Sequence, residues 1–303
     1  MINLRNLLAL LLLPTTLWAW GPEGHQAVGL IAKAYLTPDA RANVEQALAG
    51  EDLGDQRVTS WADYVRGNRR MSALFPENRR WHFIEASVNT TAEQFALAAD
   101  GHDVASQTVR WQRELADAQA SPLTRRNAVR FLAHLVGDLH QPMHCADREG
   151  DRGGNLVPVD SFRGHYFSVV ADPASNVTPN LHRTWDDYLV FESMSGVEAD
   201  LTTWVQRLQG TITPEQALAW STGTPKEWAW AAHALAVSNG YRLADGTEVP
   251  RPGSGAQLHL EVTNYVATGV RVVEEQLKKA GVRLAYLLNE ATVDGRTPRT
   301  TPR

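Results

Sequence analysis

Residues 131–144 read FLAHLVGDLHQPMH, and this stretch decides the fold. Phe131, Leu132, Leu135, Val136 and Leu139 make it an apolar helix that belongs inside a core. His134 and Asp138 are four residues apart, so at about 100° per residue they share one face. The helix ends at Gln141-Pro142, because the residue before a proline is pushed out of the α region. The turn that follows lets His144 swing back toward the face just left. Unpaired buried polar groups are costly, so a buried His-Asp-His set must be hydrogen-bonded or hold a metal ion.

Working outward, the chain reads as helix after helix. Residues 25–36 and 38–49 carry helical apolar spacing, with Pro38 at a favoured first-turn position. Ser60 starts a third helix that contains Trp61 and Asp63. Residues 91–100 and 103–120 follow as helices, with Ser121-Pro122 as a break. The polar stretch 147–155, DREGDRGGN, is a loop, and residues 156–172 suit a short β-hairpin. Asn180 opens another helix in which His182 and Asp186 again stand four apart. Residues 198–209, 213–220, 225–238 and 257–290 complete the set, the last split near Gly281. The fold class is therefore mostly α, a single compact multi-helix domain over residues 20–291. Residues 292–303, rich in Pro, Thr and Arg, form a disordered tail.

The N-terminus has a different character. Arg5, the apolar run Leu7–Leu13 and the step Leu17-Trp18-Ala19 form a secretory signal peptide over residues 1–19, too short to span a membrane. Cleavage after Ala19 makes Trp20 the first residue of a secreted or periplasmic protein. With Cys145 as its single cysteine the chain has no internal disulfide. The net charge of −5 excludes a globally basic nucleic-acid surface, so any phosphate binding needs a local source of positive charge. Asn-x-Thr sequons stand at Asn89 and Asn176, and the sequence does not settle the host that would decide their use.

His25, His82, His134, His144 and His182, with Asp63, Asp138 and Asp186, form a cysteine-free donor set suited to zinc, less often manganese or iron. A single His-x-x-x-Asp pair is weak evidence. Order and context carry the weight: WG-x-x-GH from Trp20, WAD from Trp61, WHF from Trp81, FLAHLVGD-x-HQPMH, GDRGGN, and NLH-x-x-WD from Asn180. That ordered set resembles the zinc-dependent, single-strand-specific nuclease family, whose members are also 3′-nucleotidases and whose structural cousin is bacterial zinc phospholipase C.

The resemblance implies three Zn²⁺ ions. The first is held by Asp63, His82, His134 and Asp138, and the second by His144, His182 and Asp186. The third is held by His25, Asp138 and Trp20, the last through its free α-amino nitrogen and carbonyl oxygen. A hydroxide shared by the two zincs that Asp138 bridges is the implied nucleophile, attacking phosphorus in line. Asn155 matches the asparagine that contacts the scissile phosphate, and Arg66 stands where the family often has Lys. Phe83 matches the aromatic on which a base stacks. Glu85 replaces the Asp by which fungal members contact the base. A second stacking aromatic has no clear counterpart, with Tyr166 and Phe167 as candidates. Asn155, Arg66 and Phe83 also have plain readings, as a turn residue, a solvated helix charge and a core residue. His102, His140, His165, His233 and His259 match no ligand position.

The implied substrates are single-stranded DNA, RNA and 3′-nucleotides, cleaved by a monomer with no stable membrane association. Two alternatives stand beside this. Phospholipase C shares the ligand order, but that branch has Glu where this chain has Asp186. An exported metal-binding protein without catalysis would have no use for Asn155.

Overall fold

The computed structural model describes residues 20–163, 165–166, 179–195, 200–260 and 262–292. Residues 1–19, expected to form a signal peptide, residues 293–303 of the expected tail, and Phe167 lie outside the described residues, and Tyr166 is described by its backbone alone.

The N-terminal half comprises α1 (Pro22–Tyr35), α2 (Pro38–Leu48), α3 (Gln56–Thr59), α4 (Trp61–Gly67), α5 (Arg69–Ser72), α6 (Val104–Ala116) and α7 (Pro122–His140). Then come α8 (Leu181–Arg183), a π-helical turn over Thr184–Tyr188, α9 (Leu189–Ser195), α10 (Leu201–Gly210), α11 (Pro214–Trp220) and α12 (Pro225–Leu235). A π-helical turn over Val262–Val266 leads into α13 (Ala267–Thr292). The expected hairpin is present as β1 (Ser161–Phe162) and β2 (His165–Tyr166), antiparallel. A third strand, β3 (His259–Leu260), pairs parallel with β1 on its other side. Two residues are too short for a period-2 pattern, so nothing in the sequence marks β3. Among the described residues no helix is long and apolar enough to cross a membrane.

α7 is the central helix. Ser121 caps it, its Oγ accepting from Thr124 N at 3.1 Å, and Pro122 occupies the first turn. The Ser121-Pro122 step is thus the start of the core helix as well as a break. From Phe131 to His140 every residue of α7 is buried. Phe131 stacks on Trp111 at 4.4 Å and meets Trp61, Phe75 and Trp81 edge-on at 5.0, 5.2 and 5.4 Å. Trp61 and Trp81 open the WAD and WHF motifs, so this aromatic cluster brings Asp63 and His82 to α7.

Three helical expectations are corrected. The helix expected from residue 257 starts only at the π-helical turn Val262–Val266, because His259 and Leu260 pair with β1 as a strand. Residues 91–100 are turns, although their composition favours a helix. Phe95 is drawn into the core against Trp230 and His233, and Asp103 takes the Ala98 N–H at 2.9 Å while capping α6 through Ser106 N. Tertiary contacts here outweigh propensity. α13 is also continuous through Gly281 rather than split. A Cβ there would stand 2.4 Å from Ile31 Cγ2 of α1, so the glycine serves close helix packing, not a break.

Candidate metal centre

The sequence motifs converge on the inward face of α7. His134 and Asp138 lie one turn apart with no solvent exposure. His25 reaches them from α1, its ring stacked on His134 at 3.9 Å. That approach requires Gly137, because a Cβ there would come within 2.7 Å of His25 Nδ1. Asp138 faces two ways: Oδ1 lies 3.4 Å from His25 Nε2, and Oδ2 lies 2.8 Å from His82 Nδ1 and 3.2 Å from His134 Nε2. Asp63, on α4, stands 3.6 Å from His134 and 3.9 Å from His82. A second group gathers His144, His182 and Asp186, with Asp186 at 3.7 Å from His144 Nε2 and 3.4 Å from His182 Nε2. Three buried triads result: His25–His134–Asp138, Asp63–His82–His134 and His144–His182–Asp186. Within each triad the potential ligand atoms lie within 4.8 Å of one another.

The donor atoms are oriented as a metal requires. His134 Nδ1 pairs with Thr59 O at 2.8 Å, His144 Nδ1 with His82 O at 2.7 Å, and His182 Nδ1 with Gly153 O at 2.7 Å. A backbone carbonyl accepts only from N–H, so each ring is held as the Nδ1–H tautomer with its Nε2 lone pair turned inward. Several buried atoms of these residues have no hydrogen-bond partner: both nitrogens of His25, His82 Nε2, His144 Nε2, Asp138 Oδ1 and both oxygens of Asp63. Such a concentration of buried orphans at potential ligand atoms fits a bound cation. The residues therefore fit the metal group that the sequence implies.

Electrostatics point the same way. Burial holds the His82 imidazole down at about 4, with Arg66 nearby adding to the effect. Burial likewise lowers His25, with His134 reinforcing it. Burial works to raise Asp63, yet Arg66 and the histidines outweigh it and hold the carboxyl at about 2. Asp138 lies well below the usual carboxylate range because His134, His25 and His82 overcome its burial. His134 and His144 shift the other way: burial lowers them, but Asp138 and Asp63 raise His134 and Asp186 raises His144 by more. Neutral imidazoles at His25 and His82 beside ionised carboxylates are protonation states that bind metal.

Trp20 is fully buried, its indole N–H donating to Gly137 O at 2.7 Å. The next residue, Gly21, donates its N–H to Asp186 O at 2.9 Å, tying this segment to the second group. Beside the candidate metal-ligating residues opens a cavity of about 240 Å³, lined by Arg66, Phe83, Glu85, His144, Asn155 and His182 among others. Arg66, Phe83, Glu85 and Asn155, four substrate contacts expected from the sequence, thus border one hollow. Arg66 Nη2 contacts Asp63 Oδ1 at 2.6 Å, though without hydrogen-bond alignment. Asn155 Nδ2 donates to Arg152 O at 2.8 Å, a turn contact.

The remaining histidines have other work. His140 is buried, with Nδ1 on Val136 O and Nε2 against Arg283. His233 Nδ1 pairs with Cys145 O, His102 takes the Trp81 indole N–H, and His259 pairs with Ser161. His165 is described by its backbone alone. Burial pushes the Cys145 thiol up, away from thiolate chemistry.

Two supports escaped the sequence reading. Gln141 Nε2 donates to Asp186 Oδ1 at 2.5 Å while its Oε1 accepts from Met143 N, so one side chain both caps the turn and aims a carboxylate. The HQPMH spacing places Gln141 beside His144, but its partner is distant in sequence. Asp151 Oδ1 accepts from Tyr241 Oη, Gly154 N and Arg148 N, fixing the 147–155 loop from inside.

Comparison with known proteins places this fold and its His/Asp constellation among the nucleases. Residues 20–292 match the S1/P1 nuclease family, and the chain belongs to it. Nuclease P1 of Penicillium citrinum is 26% identical over 291 residues, covering 89% of this chain and 97% of its own. Nuclease S1 of Aspergillus oryzae is 25% identical over 299 residues, with 93% and 94% coverage, and endonuclease 2 of Arabidopsis thaliana is 27% identical over 285 residues, with 89% of each chain covered.

Proposed function

We propose that the protein is an exported zinc-dependent phosphodiesterase. It cleaves single-stranded DNA and RNA to 5′-phosphorylated products and removes the phosphate of 3′-nucleotides. The observation that carries this reading is the row of three buried His/Asp groups beside a cavity lined by Arg66, Asn155 and Phe83.

In this reading Asp63, His82, His134 and Asp138 hold the first zinc. His144, His182 and Asp186 hold the second. His25, Asp138 and the α-amino nitrogen and carbonyl oxygen of Trp20 hold the third. That last pair requires a signal peptide over residues 1–19 to be removed. Zinc, when bound, supplies Lewis acidity and brings the pKa of a water toward about 7. Three divalent ions bring six positive charges, against which Asp63, Asp138 and Asp186 return three negative ones. The centre is then a local cation in a chain of net charge −5, which answers the phosphate-affinity problem.

The protein's own groups position the substrate. Arg66 sets a guanidinium beside the phosphate, able to engage two oxygens at once. Asn155 gives an amide donor to the same phosphate. Phe83 is a stacking platform that accepts any base, since every base has a π-face. Glu85 stands where a base edge would meet it. The enzyme acts as a monomer without stable membrane association.

The test combines metal counting with product analysis. The processed protein is expected to carry three zinc ions by native mass spectrometry and to release 5′-phosphorylated ends from a short single strand. Cleavage of a phosphatidylcholine analogue with single-stranded DNA left intact would sink the proposal and favour a phospholipase.

A further inference from the structure

The cavity beside the metal-ligating residues is lined by two arginines in different situations. The Arg66 side chain is 13% exposed and already set against Asp63. Arg152 is exposed and has no carboxylate within ion-pair distance among the described residues. Its backbone is nonetheless held in place. Arg152 N donates to Asp147 Oδ1 at 2.8 Å, and its carbonyl takes the Asn155 amide at 2.8 Å. Its φ of +57° is a left-handed conformation that few residues other than Gly, Asn and Asp adopt. A long cationic side chain thus rises from a fixed backbone at the cavity wall, one hydrogen bond away from Asn155.

We propose that Arg152 forms a second phosphate subsite, which receives a phosphodiester next to the scissile one. This rests on the nuclease reading above. If Asn155 and Arg66 attend the scissile phosphate, the next cation along the wall is Arg152. A guanidinium matches a phosphate in shape as well as charge. Glu85, on the same lining, repels a phosphate from its own side and leaves the Arg152 side favoured. A 3′-nucleotide has one phosphate and cannot use the subsite. A polynucleotide has a neighbouring phosphate and can, so Arg152 distinguishes strand cleavage from phosphate removal.

The test uses a trinucleotide in which one of the two linkages is a neutral methylphosphonate, and the other is cleaved. Two isomers place the neutral group on either side of the cut. In the wild-type enzyme, neutralising the linkage that Arg152 contacts is expected to lower kcat/KM about tenfold, the scale of a charge-assisted hydrogen bond. In Arg152→Asn, which tolerates the left-handed backbone, the same neutralisation should change kcat/KM less than twofold. Arg152→Lys should keep part of the discrimination. The variant's KM for longer strands should also lose about 0.7 from its logarithmic salt dependence. Equal sensitivity in wild type and Arg152→Asn for both isomers overturns the subsite. So does a loss in Arg152→Asn that is matched by a lower zinc count, because Arg152 would then serve the loop. A wild-type enzyme that cuts neither trinucleotides nor 3′-nucleotides removes the nuclease reading itself, a different result.

Discussion

The two halves of the candidate metal centre use the same residue types and hold them in different ways. His25, Asp63, His134 and Asp138 stand on α1, α4 and α7, and His82 is set by the aromatic cluster around Phe131. His144, His182 and Asp186 stand on a 3₁₀ turn, the three-residue α8 and a π-helical turn. The first half is positioned by helix packing. The second is positioned by hydrogen bonds, His182 Nδ1–H donating to Gly153 O and Gln141 Nε2 donating to Asp186 Oδ1, with both partners on or beside loops. Packed helices open only with the whole domain, whereas loop contacts can open locally. The His144–His182–Asp186 group, the outer one, should therefore surrender an ion to a chelator before the two inner triads that share His134 do.

The largest blow to that comparison is Asp138→Asn. Asp138 touches residues of both inner triads, so this change should remove two ions and lower activity about 10³-fold, the scale of several kcal/mol of metal catalysis. Asp63→Asn should remove one ion and cost less. Native mass spectrometry of both variants, read beside their turnover, settles the order. Next comes a version of the chain that keeps residues 1–19 or an N-terminal tag. Trp20 then offers an amide nitrogen in place of an amine, and the expected result is loss of the His25 ion with at least about 10²-fold less activity, at or beyond the effect of losing an outer partner. Full turnover by an extended chain would refute the role given to Trp20. The smallest effect belongs to Tyr241→Phe, which removes one of the bonds holding Asp151 and the 147–155 loop. Chelator competition should show the outer ion held about tenfold more weakly and the inner ions unchanged. Equal weakening of all three would erase the distinction between the halves.

Much of this arrangement was legible in the sequence, for a physical reason. Each ligand segment is a short local pattern, and tryptophans within those patterns anchor them. Trp61 and Trp81 dock on Phe131, Trp20 bonds Gly137 O, and Trp185 donates to Tyr265 Oη at 2.9 Å. Helix starts were readable where a capping residue precedes a proline, as at Ser121-Pro122. What stayed hidden depends on distant partners. Residues 91–100 look helical until Phe95 meets α12. Gly281 looks like a break until Ile31 lies against it. Gln141 and Tyr241 act on groups 45 and 90 residues away, which no local window contains.

Gly281 also has a bearing on when the centre can come into being. α1, which carries His25, lies directly on α13, so the first helix of the domain is seated on the last. Contacts of such long range form late, after the entropy of closing the whole chain has been met. Docking of α13 on α1 is therefore expected to be the step that completes the approach of His25 to His134 and Asp138 of α7.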